Sequence, residues 1–598
     1  MSSPSNLHSA WAELLVGALA SAGICDLIVS PGSRSTPLVL AAAKEPRLTC
    51  RVIVDERSAA FFALGQARAS GVASALLCTS GTAAAHYFPA IIEAAASFVP
   101  LLVVSADRPW EDRATGAPQT IDQVKMFGEY VRHFADLGPP DASAAAFRAV
   151  QRIAAQCVFA TSSPTPGPVQ LNAQFRKPLE PVVVADAESW RPLLDSVRSR
   201  KPTRIFPPLA GVDSAALELA FGAIKRAERG LIVCGPSTEP ADFERNSLLA
   251  LARVTGFPIL AECTSQQRFG GLLEGVTHAA GFDVYFRDAA FRRRHVADLI
   301  LELGAPPTSA GYATYLAEHQ AERIVVAPHG HPDPRGDATA LVHASPARFA
   351  EALVEKVEAL GRALKNGSWS EAFARADAET WKRAEQESRE TRLSEASIAR
   401  IVVHALPEGA TLVVGNSNPV RDLDTFVPPT LRDVRVVHQR GAAGIDGLVS
   451  GAAGFASLAK SPTVLYVGDL TFLHDLGGLA AVKHVGTPLV IVVVQNDGGR
   501  IFEELPIHAA SSSDPTFETF FATSQKVDFS AAAAAFGIAF HRVETTADLS
   551  RVVAAGIERA GCTVIEAIVP AHDGSIRRAQ FRKDVARLIA ALPAEPSS

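Results

Sequence analysis

Two runs of β-branched residues near the carboxyl end constrain the fold of this chain more than any other feature. Thr463–Val467 and Leu489–Val494 are each long enough for a buried strand, and they bracket a segment, Leu473–His484, with the pattern of a helix. A strand, a helix and a strand in this order form a βαβ unit with parallel strands. The sequence therefore predicts a parallel sheet with helices on its faces.

Polar residues follow both strands directly. Gly468, Asp469 and Leu470 come after the first strand, and Gln495–Gly499 comes after the second. Parallel neighbours end at the same edge of a sheet, so Asp469 and Asn496 are expected side by side where open α/β sheets bind ligands. A carboxylate, a carboxamide and glycine-rich backbone suit Mg²⁺, which prefers oxygen ligands and keeps phosphate oxygens in its shell. We therefore predict a site for a metal ion and a diphosphate.

The alternation of strands and helices recurs along all 598 residues. Three α/β domains are predicted, at residues 1–185, 206–355 and 396–598, each large enough for its own core. A linker is expected near 180–205, and a polar, charged helical connector over about 356–395. The predicted fold class is α/β, built mainly on parallel sheets.

Bulk properties exclude several classes of protein. The net charge of −6, without a basic tract, argues against nucleic acid as the main partner. The seven scattered cysteines, without a CxxC pair, are typical of a reducing cytoplasm and not of a disulfide framework or zinc site. No Lys or Arg precedes the apolar stretch Trp11–Ala22, which favours a first helix over a signal peptide. Glu93 and Pro100 interrupt Phe88–Ala106, so no transmembrane segment is predicted.

Unusual loops follow other predicted strands. Ser30–Pro37 opens a helix with several hydroxyls and one arginine, which suits an anion or, equally, a capped helix start. Asp55 and Glu56 lie where a strand meets a helix, a position at which acidic residues more often act as caps and dipole partners. Arginines also follow strands in Ser105–Pro109, Gly415–Arg421 and Gln439–Gly447. Charges repeated at a ligand-binding edge require anionic partners.

The central segment offers fewer candidates. His329, His331 and Asp333 look like a metal cluster, but their spacing with Gly and Pro favours an ordinary loop. No GxGxxG motif follows a strand there, so no dinucleotide site is predicted.

The motif from Gly468-Asp469 to Asn496 resembles the cofactor-binding motif of thiamine-diphosphate-dependent enzymes. Its commonest form ends in two Asn residues, and Gln495 stands here in place of the first. Within these enzymes the chain resembles the 2-succinyl-5-enolpyruvyl-6-hydroxy-3-cyclohexene-1-carboxylate (SEPHCHC) synthases of menaquinone biosynthesis. The stretches that carry this resemblance are SPGSRSTPL (30–38), DERSAAFFALG (55–65), SADRP (105–109), RGAAGIDG (440–447), GDLTFLHDL (468–476) and NDGGRIFEELP (496–506).

The resemblance implies thiamine diphosphate as cofactor, with the metal ion left open between Mg²⁺ and Mn²⁺. Asp469, Asn496 and the carbonyl of Gly498 would hold the metal ion on the diphosphate. Glu56 would lie at the pyrimidine ring nitrogen and drive the tautomer that activates the cofactor, and Ile445 would hold the cofactor bent. The further implied cofactor contacts are Gly468, Leu470, Ile501 and Leu505. The implied domain order is pyrimidine-binding, central and diphosphate-binding.

The implied reaction is decarboxylation of 2-oxoglutarate and 1,4-addition of the resulting succinyl carbanion to isochorismate. Both substrates are dicarboxylates, which arginine binds bidentately. Arg421 and Arg440, which are candidate catalytic residues together with Glu56, would face the 2-oxoglutarate-derived adduct, with Ser417 nearby. Ile501, Phe502 and Leu505 would supply an apolar wall around the thiazolium side. The residues that would face isochorismate are Ser33, Arg34, Arg108 and Gln119.

The chain departs from the resemblance in one place. Family members carry a basic residue after a central-domain strand, whereas Leu303–Tyr312 contains no Lys or Arg. Either a residue of Arg292–Arg294 substitutes, or the succinyl end is recognised differently.

Two rival functions stay open. Another thiamine-diphosphate-dependent 2-oxoacid decarboxylase or carboligase would share the cofactor residues, although the number of arginines disfavours a small monocarboxylate substrate. A non-catalytic metabolite sensor would not need the carboxylate of Glu56. The resemblance also implies an active site between subunits, and hence a homodimer or a homotetramer.

Overall fold

A computed structural model of the protein describes residues 6–182, 187–200, 203–208, 211–237, 241–271, 274–361, 367–511 and 515–592. These residues form three sheets in which every strand pairing is parallel, so the predicted α/β fold class is confirmed. Within the described ranges, no helix is long and apolar enough to cross a membrane.

The sheets have six, five and six strands. In chain order the strands are β1 (Asp26–Val29), β2 (Thr49–Val52), β3 (Ser74–Cys78), β4 (Leu101–Asp107), β5 (His133–Leu137), β6 (Pro168–Gln174), β7 (Gly230–Cys234), β8 (Ile259–Ala261), β9 (Leu299–Leu303), β10 (Glu322–Ala327), β11 (Ala340–His343), β12 (Ala410–Val414), β13 (Val434–His438), β14 (Thr463–Gly468), β15 (Leu489–Gln495), β16 (Ala539–Val543) and β17 (Cys562–Ile568). The spatial orders are β2-β1-β3-β4-β6-β5, β11-β10-β9-β7-β8 and β13-β12-β14-β15-β17-β16.

Helices connect and cover these strands. In chain order they are α1 (Leu7–Ala22), α2 (Thr36–Lys44), α3 (Glu56–Ser70), α4 (Phe88–Ala96), α5 (Ala144–Ala160), α6 (Ala187–Arg198), α7 (Ser214–Arg226), α8 (Ala241–Thr255), α9 (Phe282–Tyr285), α10 (Ala289–Arg294), α11 (Ala310–Glu318), α12 (Pro346–Glu358), α13 (Gly367–Glu387), α14 (Glu395–Ala405), α15 (Asn418–Phe426), α16 (Leu448–Ala456), α17 (Asp469–His474), α18 (Pro506–Ser511), α19 (Phe529–Ala535), α20 (Thr546–Glu558) and α21 (Asp573–Ala590).

The chain divides into two compact units. Unit 1 consists of Met1–Pro208, Gln439–Lys460 and His474–Thr487, and unit 2 consists of Leu209–His438, Ser461–Leu473 and Pro488–Ser598. The first sheet belongs to unit 1, and the second and third sheets belong to unit 2. The boundaries of the three predicted domains stay a prediction.

Glycines allow α3 and α16 of unit 1 to pack with their backbones close together. A Cβ added to Gly65 would overlap the carbonyl oxygen of Gly451, and one added to Gly454 would overlap that of Phe62. Glycine is unfavourable within a helix, so its use here is explained by this close approach. The packing fixes α3, whose first residue is Glu56, against the helix that follows the 440–447 loop.

The centre of the third sheet, in unit 2, is formed by the two β-branched runs. β14 and β15 pair from Thr463 opposite Leu489 to Gly468 opposite Val494. Their apolar residues are buried on both faces, as is usual for central strands of a parallel sheet. The prediction of adjacent parallel strands in this stretch is confirmed.

The connection after β14 differs from the prediction. The expected α-helix over Leu473–His484 is wrong, because α17 already begins at Asp469 and ends at His474, and a 3₁₀ helix covers Leu476–His484. Gly477 and Gly478 lie at the start of the 3₁₀ helix, where they disfavour a continuous α-helix.

The two expected connecting segments contain packed helices. Within 180–205, α6 places Trp190 in the core of unit 1 with only 2% of its surface exposed. Within 356–395, α13 places Trp369 in a core of unit 2. Positions 183–186, 201–202 and 362–366 of these segments lie outside the described residues.

We expect Gly65→Ala to destabilise the protein by about 1–3 kcal/mol, because the new methyl group overlaps the backbone of α16. Gly17→Ala, in α1, is the matched control, since its methyl group meets only ordinary contacts at 3.7 and 3.8 Å. That substitution should be neutral or stabilising by up to about 1 kcal/mol. Denaturant unfolding of both variants measures the difference, and equal stabilities would contradict the close packing of α3 and α16.

Candidate active site

The predicted site residues divide between the two units. Unit 1 carries Ser33, Arg34, Glu56, Arg108, Gln119, Arg440 and Ile445, and unit 2 carries Ser417, Arg421, Gly468, Asp469, Leu470, Asn496, Gly498, Ile501, Phe502 and Leu505. Each set is described by its own contacts.

The ends of β14 and β15 bring the predicted metal ligands together in unit 2. Because Gly468 pairs with Val494, the residues after each strand leave the sheet at neighbouring positions. Asp469 accepts the N–H of Gly498 on Oδ2 at 2.7 Å, and the N–H of Leu470 on Oδ1 at 2.7 Å. The carboxylate of Asp469 therefore contacts the loop that contains Asn496 and Gly498.

The chemistry of these residues fits a divalent cation. Asp469 is buried, and burial raises the pKa of its carboxyl to about 6. An ionised carboxylate in such surroundings is costly unless a cation neutralises it. Asp469, the side-chain amide of Asn496 and the carbonyl of Gly498 offer oxygen atoms, the ligands that Mg²⁺ and Mn²⁺ prefer. These residues could hold a metal ion that in turn binds a diphosphate.

Glycine is required at position 498 for two reasons. Its φ is +112°, and an added Cβ would overlap the carbonyl oxygen of Ala522. The carbonyl of Gly498 accepts the N–H of Arg500 at 2.8 Å, and a carbonyl oxygen has a second lone pair for a metal ion. Gly468 differs, since an added Cβ would meet no atom within 4 Å and the backbone there borders open space.

The predicted apolar wall lies on the loop after β15. Ile501 and Phe502 belong to a 3₁₀ helix, Arg500–Glu504, and are half-buried, whereas Leu505 is 47% exposed. The ring of Phe502 packs against that of Phe521, with 5.8 Å between ring centroids. The segment could place apolar side chains against a bound ligand near the metal site.

Ser417 and Arg421 are joined at the end of β12. Ser417 has φ +69° and precedes α15, a backbone conformation that is strained for a residue with a side chain. Its carbonyl oxygen accepts a hydrogen bond from Nη1 of Arg421 at 2.6 Å. The contact holds the arginine close to the loop that ends at Ser417.

Glu56 opens α3 in unit 1. The preceding residue, Asp55, is the N-cap, because its Oδ1 accepts the N–H of Ser58 at 3.0 Å. Glu56 is half-buried near Cys78, where burial and, to a smaller extent, the charge of Glu56 raise the pKa of the thiol to about 12. The cap is thus supplied by Asp55, and the side chain of Glu56 is left for another role.

Two arginines of unit 1 lie close enough to repel each other. Burial lowers the pKa of Arg34, and the charge of Arg108 lowers it further, although Asp112 and Asp107 act in the opposite direction. Arg34 donates to the carbonyl of Phe175 at 2.6 Å. Arginine stays protonated in proteins, so this pair of like charges is suited to an anionic ligand.

Ser33 begins a short 3₁₀ helix, Ser33–Ser35, whereas Gln119 lies on a loop that contacts Ser80. Ser33 is exposed, and the next residue, Arg34, donates its backbone N–H to Oγ1 of Thr79 at 3.1 Å. The side chain of Gln119 donates from Nε2 to the backbone carbonyl of Ser80 at 3.1 Å. The backbone carbonyl of Gln119 accepts a hydrogen bond from the hydroxyl of Ser80 at 3.0 Å. The loop after β3 therefore fixes the position of Gln119.

Glu93, which sequence reasoning missed as a site residue, holds the loop that bears Arg440 and Ile445. Its two carboxylate oxygens accept the N–H groups of Gly441 at 3.1 Å and Ala442 at 2.7 Å. Arg68 neutralises it at 2.8 Å. The only available signal was a charge within the apolar stretch Phe88–Ala106, which the sequence analysis used solely against a membrane span.

The chain is similar to known proteins over nearly its whole length. Residues 10–126 match the family model described as thiamine pyrophosphate enzyme, N-terminal TPP binding domain, and residues 431–567 match its C-terminal TPP binding domain counterpart. The SEPHCHC synthase of Sorangium cellulosum is 54% identical over 99% of this chain and 98% of its own length. The chain belongs to the SEPHCHC synthase family of thiamine pyrophosphate enzymes.

Other SEPHCHC synthases are similar over the same extent. The Myxococcus xanthus protein is 41% identical over the whole of both chains. The Geobacillus kaustophilus protein is 39% identical over 93% of this chain and 94% of its own. The predicted family and the predicted class of enzyme, dependent on thiamine diphosphate, are confirmed.

Several charged groups of the central segment in this SEPHCHC synthase family member form internal pairs, whereas Arg293 and Arg294 are exposed. Arg292 is one candidate for the missing basic residue. Its guanidinium donates two hydrogen bonds to the carboxylate of Glu318, each at 2.7 Å. Asp333, from the histidine-containing loop, is paired with Arg323. Among the described residues, no three His, Cys, Asp or Glu side chains are grouped to hold a metal ion.

We expect Asp469→Ala to weaken Mg²⁺-dependent binding of thiamine diphosphate at least about tenfold, since even outer-shell substitutions reach that size. Asp475→Ala is the matched control, because Asp475 is also buried, with its pKa raised to about 6, but accepts the N–H and hydroxyl of Ser450. It should lower stability and leave the metal dependence unchanged. Calorimetric titration of the cofactor at several Mg²⁺ concentrations measures both, and an unaltered affinity in Asp469→Ala would exclude the metal site.

Proposed function

We propose that this chain catalyses the SEPHCHC synthase reaction of menaquinone biosynthesis. In this reaction C1 of 2-oxoglutarate leaves as CO₂, and the former carbonyl carbon forms a carbon–carbon bond with isochorismate by 1,4-addition. Similarity to SEPHCHC synthases over nearly the whole chain supports the reaction.

The observation that supports a dicarboxylate as acceptor substrate is the arginine pair of unit 1. Arg34 is buried beside the like charge of Arg108, at a free-energy cost that a bound carboxylate would offset. Asp112 and Asp107 offset part of this charge. Isochorismate is a dicarboxylate, so the pair favours it as the acceptor substrate, whereas 2-oxoglutarate is assigned to Arg421 and Arg440.

The residues of unit 2 would hold the charged end of the cofactor. Asp469, Asn496 and the carbonyl of Gly498 would bind Mg²⁺ or Mn²⁺, and the metal ion would orient the diphosphate. Bound thiamine diphosphate supplies the electron sink that decarboxylation of a 2-oxo acid requires. Other cofactor contacts are assigned to Gly468, Leu470, Ile501, Leu505 and, from unit 1, Ile445.

Glu56 would act on the pyrimidine ring of the cofactor. We assign it to hold a proton between its carboxylate and the ring nitrogen, which activates the ring's amino group as a base. Asp55 already caps α3, so the helix start does not depend on the side chain of Glu56, which stays available to the cofactor.

Substrate contacts are assigned to the remaining strand-end residues. Arg421 and Arg440, with Ser417, would bind the carboxylates derived from 2-oxoglutarate, and Phe502 would exclude water beside them. The isochorismate side is assigned to Ser33, Arg34, Arg108 and Gln119.

The family resemblance also supports proposals about assembly and location. Glu56 of one chain and Asp469 of a second copy would serve the same cofactor, so the working enzyme is at least a homodimer.

The domain roles proposed are pyrimidine-binding for 1–185, central for 206–355 and diphosphate-binding for 396–598. A cytoplasmic location is proposed because all seven cysteines, each within the described ranges, are free thiols.

We expect Glu56→Gln to lower turnover by about 100-fold or more, while the affinity for thiamine diphosphate stays within a few-fold of the wild-type value. Asp55→Asn is the matched control at the neighbouring position, because asparagine caps a helix as well as aspartate does. Steady-state turnover with 2-oxoglutarate and isochorismate measures the effect. Near-normal turnover of Glu56→Gln would remove Glu56 from the mechanism.

A further inference from the structure

The side-chain amide of Asn496 is held by a residue outside every predicted set. Its Nδ2 donates to Oε1 of Glu395 at 2.6 Å, and both side chains are buried in unit 2. Glu395 is the first residue of α14, where Ser394 and Ser397 form a reciprocal capping box that fixes the backbone. The contact therefore starts from a rigid helix end.

This contact decides which end of the Asn496 amide is available to a ligand. A carboxylate only accepts hydrogen bonds, so the nitrogen of the amide must face Glu395 and the oxygen must face away from it. The amide of asparagine would otherwise turn over with little change in shape. The hydrogen bond also polarises the amide and increases the negative charge on Oδ1.

The buried charge of Glu395 is fixed by the last helix of the chain. Arg578, on α21, is 1% exposed and donates from Nη1 to Oε2 of Glu395. The same guanidinium binds Asp422 at 2.9 Å and also contacts Glu504. At the start of α21, a Cβ on Gly574 would overlap the carboxylate of Glu395, so the helix leaves it no room to move.

We propose that Glu395, fixed by Arg578, is a positioning residue that turns Oδ1 of Asn496 toward the metal ion. The inference rests on the proposed metal site of Asp469, Asn496 and Gly498. It adds that the affinity of this site for its cation depends on an ion pair between the first turn of α14 and the last helix.

The test compares Glu395→Gln with Glu302→Gln. Glutamine at 395 can donate its own amide to Oδ1 of Asn496, which permits the wrong orientation. Glu302 is the matched control in unit 2: it is 1% exposed and paired with Arg323 at 3.1 Å, and it receives the hydroxyl of Tyr312 at 2.8 Å. Both variants therefore replace a buried, arginine-paired carboxylate by an amide.

The readout is metal affinity, with Mn²⁺ as the probe in the presence of saturating thiamine diphosphate. Electron paramagnetic resonance of free Mn²⁺ gives the bound fraction, and thermal unfolding is recorded for each variant. We expect Glu395→Gln to bind Mn²⁺ about 10- to 100-fold more weakly, and Glu302→Gln to stay within about threefold of wild type. Raising Mg²⁺ should restore cofactor binding in Glu395→Gln by mass action.

Two results would overturn the proposal: wild-type metal affinity in Glu395→Gln, or an equal loss in both variants. If Glu395→Gln fails to fold, Glu395→Asp carries the same test, since it keeps the charge for Arg578 but withdraws the acceptor from Asn496. The variant Asp469→Ala distinguishes a failure of the proposed metal site from a failure of the role of Glu395. If it also leaves metal affinity unchanged, the proposed metal site fails, whereas a loss there with none in Glu395→Gln contradicts only the role of Glu395.

Discussion

The parallel register between β14 and β15 is the constraint on which the candidate metal site depends. It aligns Gly468 with Val494 and so delivers Asp469 beside the loop that contains Asn496 and Gly498. A slip of one residue would shift this loop by about 3.3 Å and turn every buried side chain of the strand to the opposite face. Because both strands are buried, the core enforces the register, and the site inherits the rigidity of the sheet.

Two buried carboxylates beside the functional loops are paired with a buried arginine. Glu93 pairs with Arg68 and binds the backbone after Arg440, whereas Glu395 pairs with Arg578. Such pairs contribute little net stability, because desolvation offsets most of the attraction. Their value is geometric, since they hold a loop or an amide in one orientation. The carboxylate of Asp469 instead accepts backbone N–H groups, and its burial raises its pKa to about 6.

Local patterns in the sequence were sufficient to predict the central strands and the residues at their ends. The β-branched runs predicted β14 and β15 nearly to the residue, and glycine at 498 matched a backbone that only glycine adopts. Strands β5, β11 and β16 carry no comparable β-branched run, so local pattern does not mark them. All of these lie at sheet edges, where solvent on one side permits polar residues and weakens the pattern.

The supporting side chains could not be predicted, because their contacts join distant parts of the chain. Glu93 is separated from Gly441 by 348 positions, and Glu395 from Asn496 by 101. No periodicity or motif marks such a pair before the fold is known. The packed helix α6 is different, since Trp190 within a presumed linker was an available signal of burial.

The proposed function requires that the chain joins two dicarboxylic acids and does not merely decarboxylate one of them. The direct measurement mixes the protein with Mg²⁺, thiamine diphosphate, uniformly ¹³C-labelled 2-oxoglutarate and unlabelled isochorismate, and follows the products by mass spectrometry. We predict that isochorismate disappears in step with ¹³CO₂ release, and that the product retains every labelled carbon except the one lost. Release of ¹³CO₂ with isochorismate unconsumed would contradict this account and would favour a simple 2-oxoacid decarboxylase.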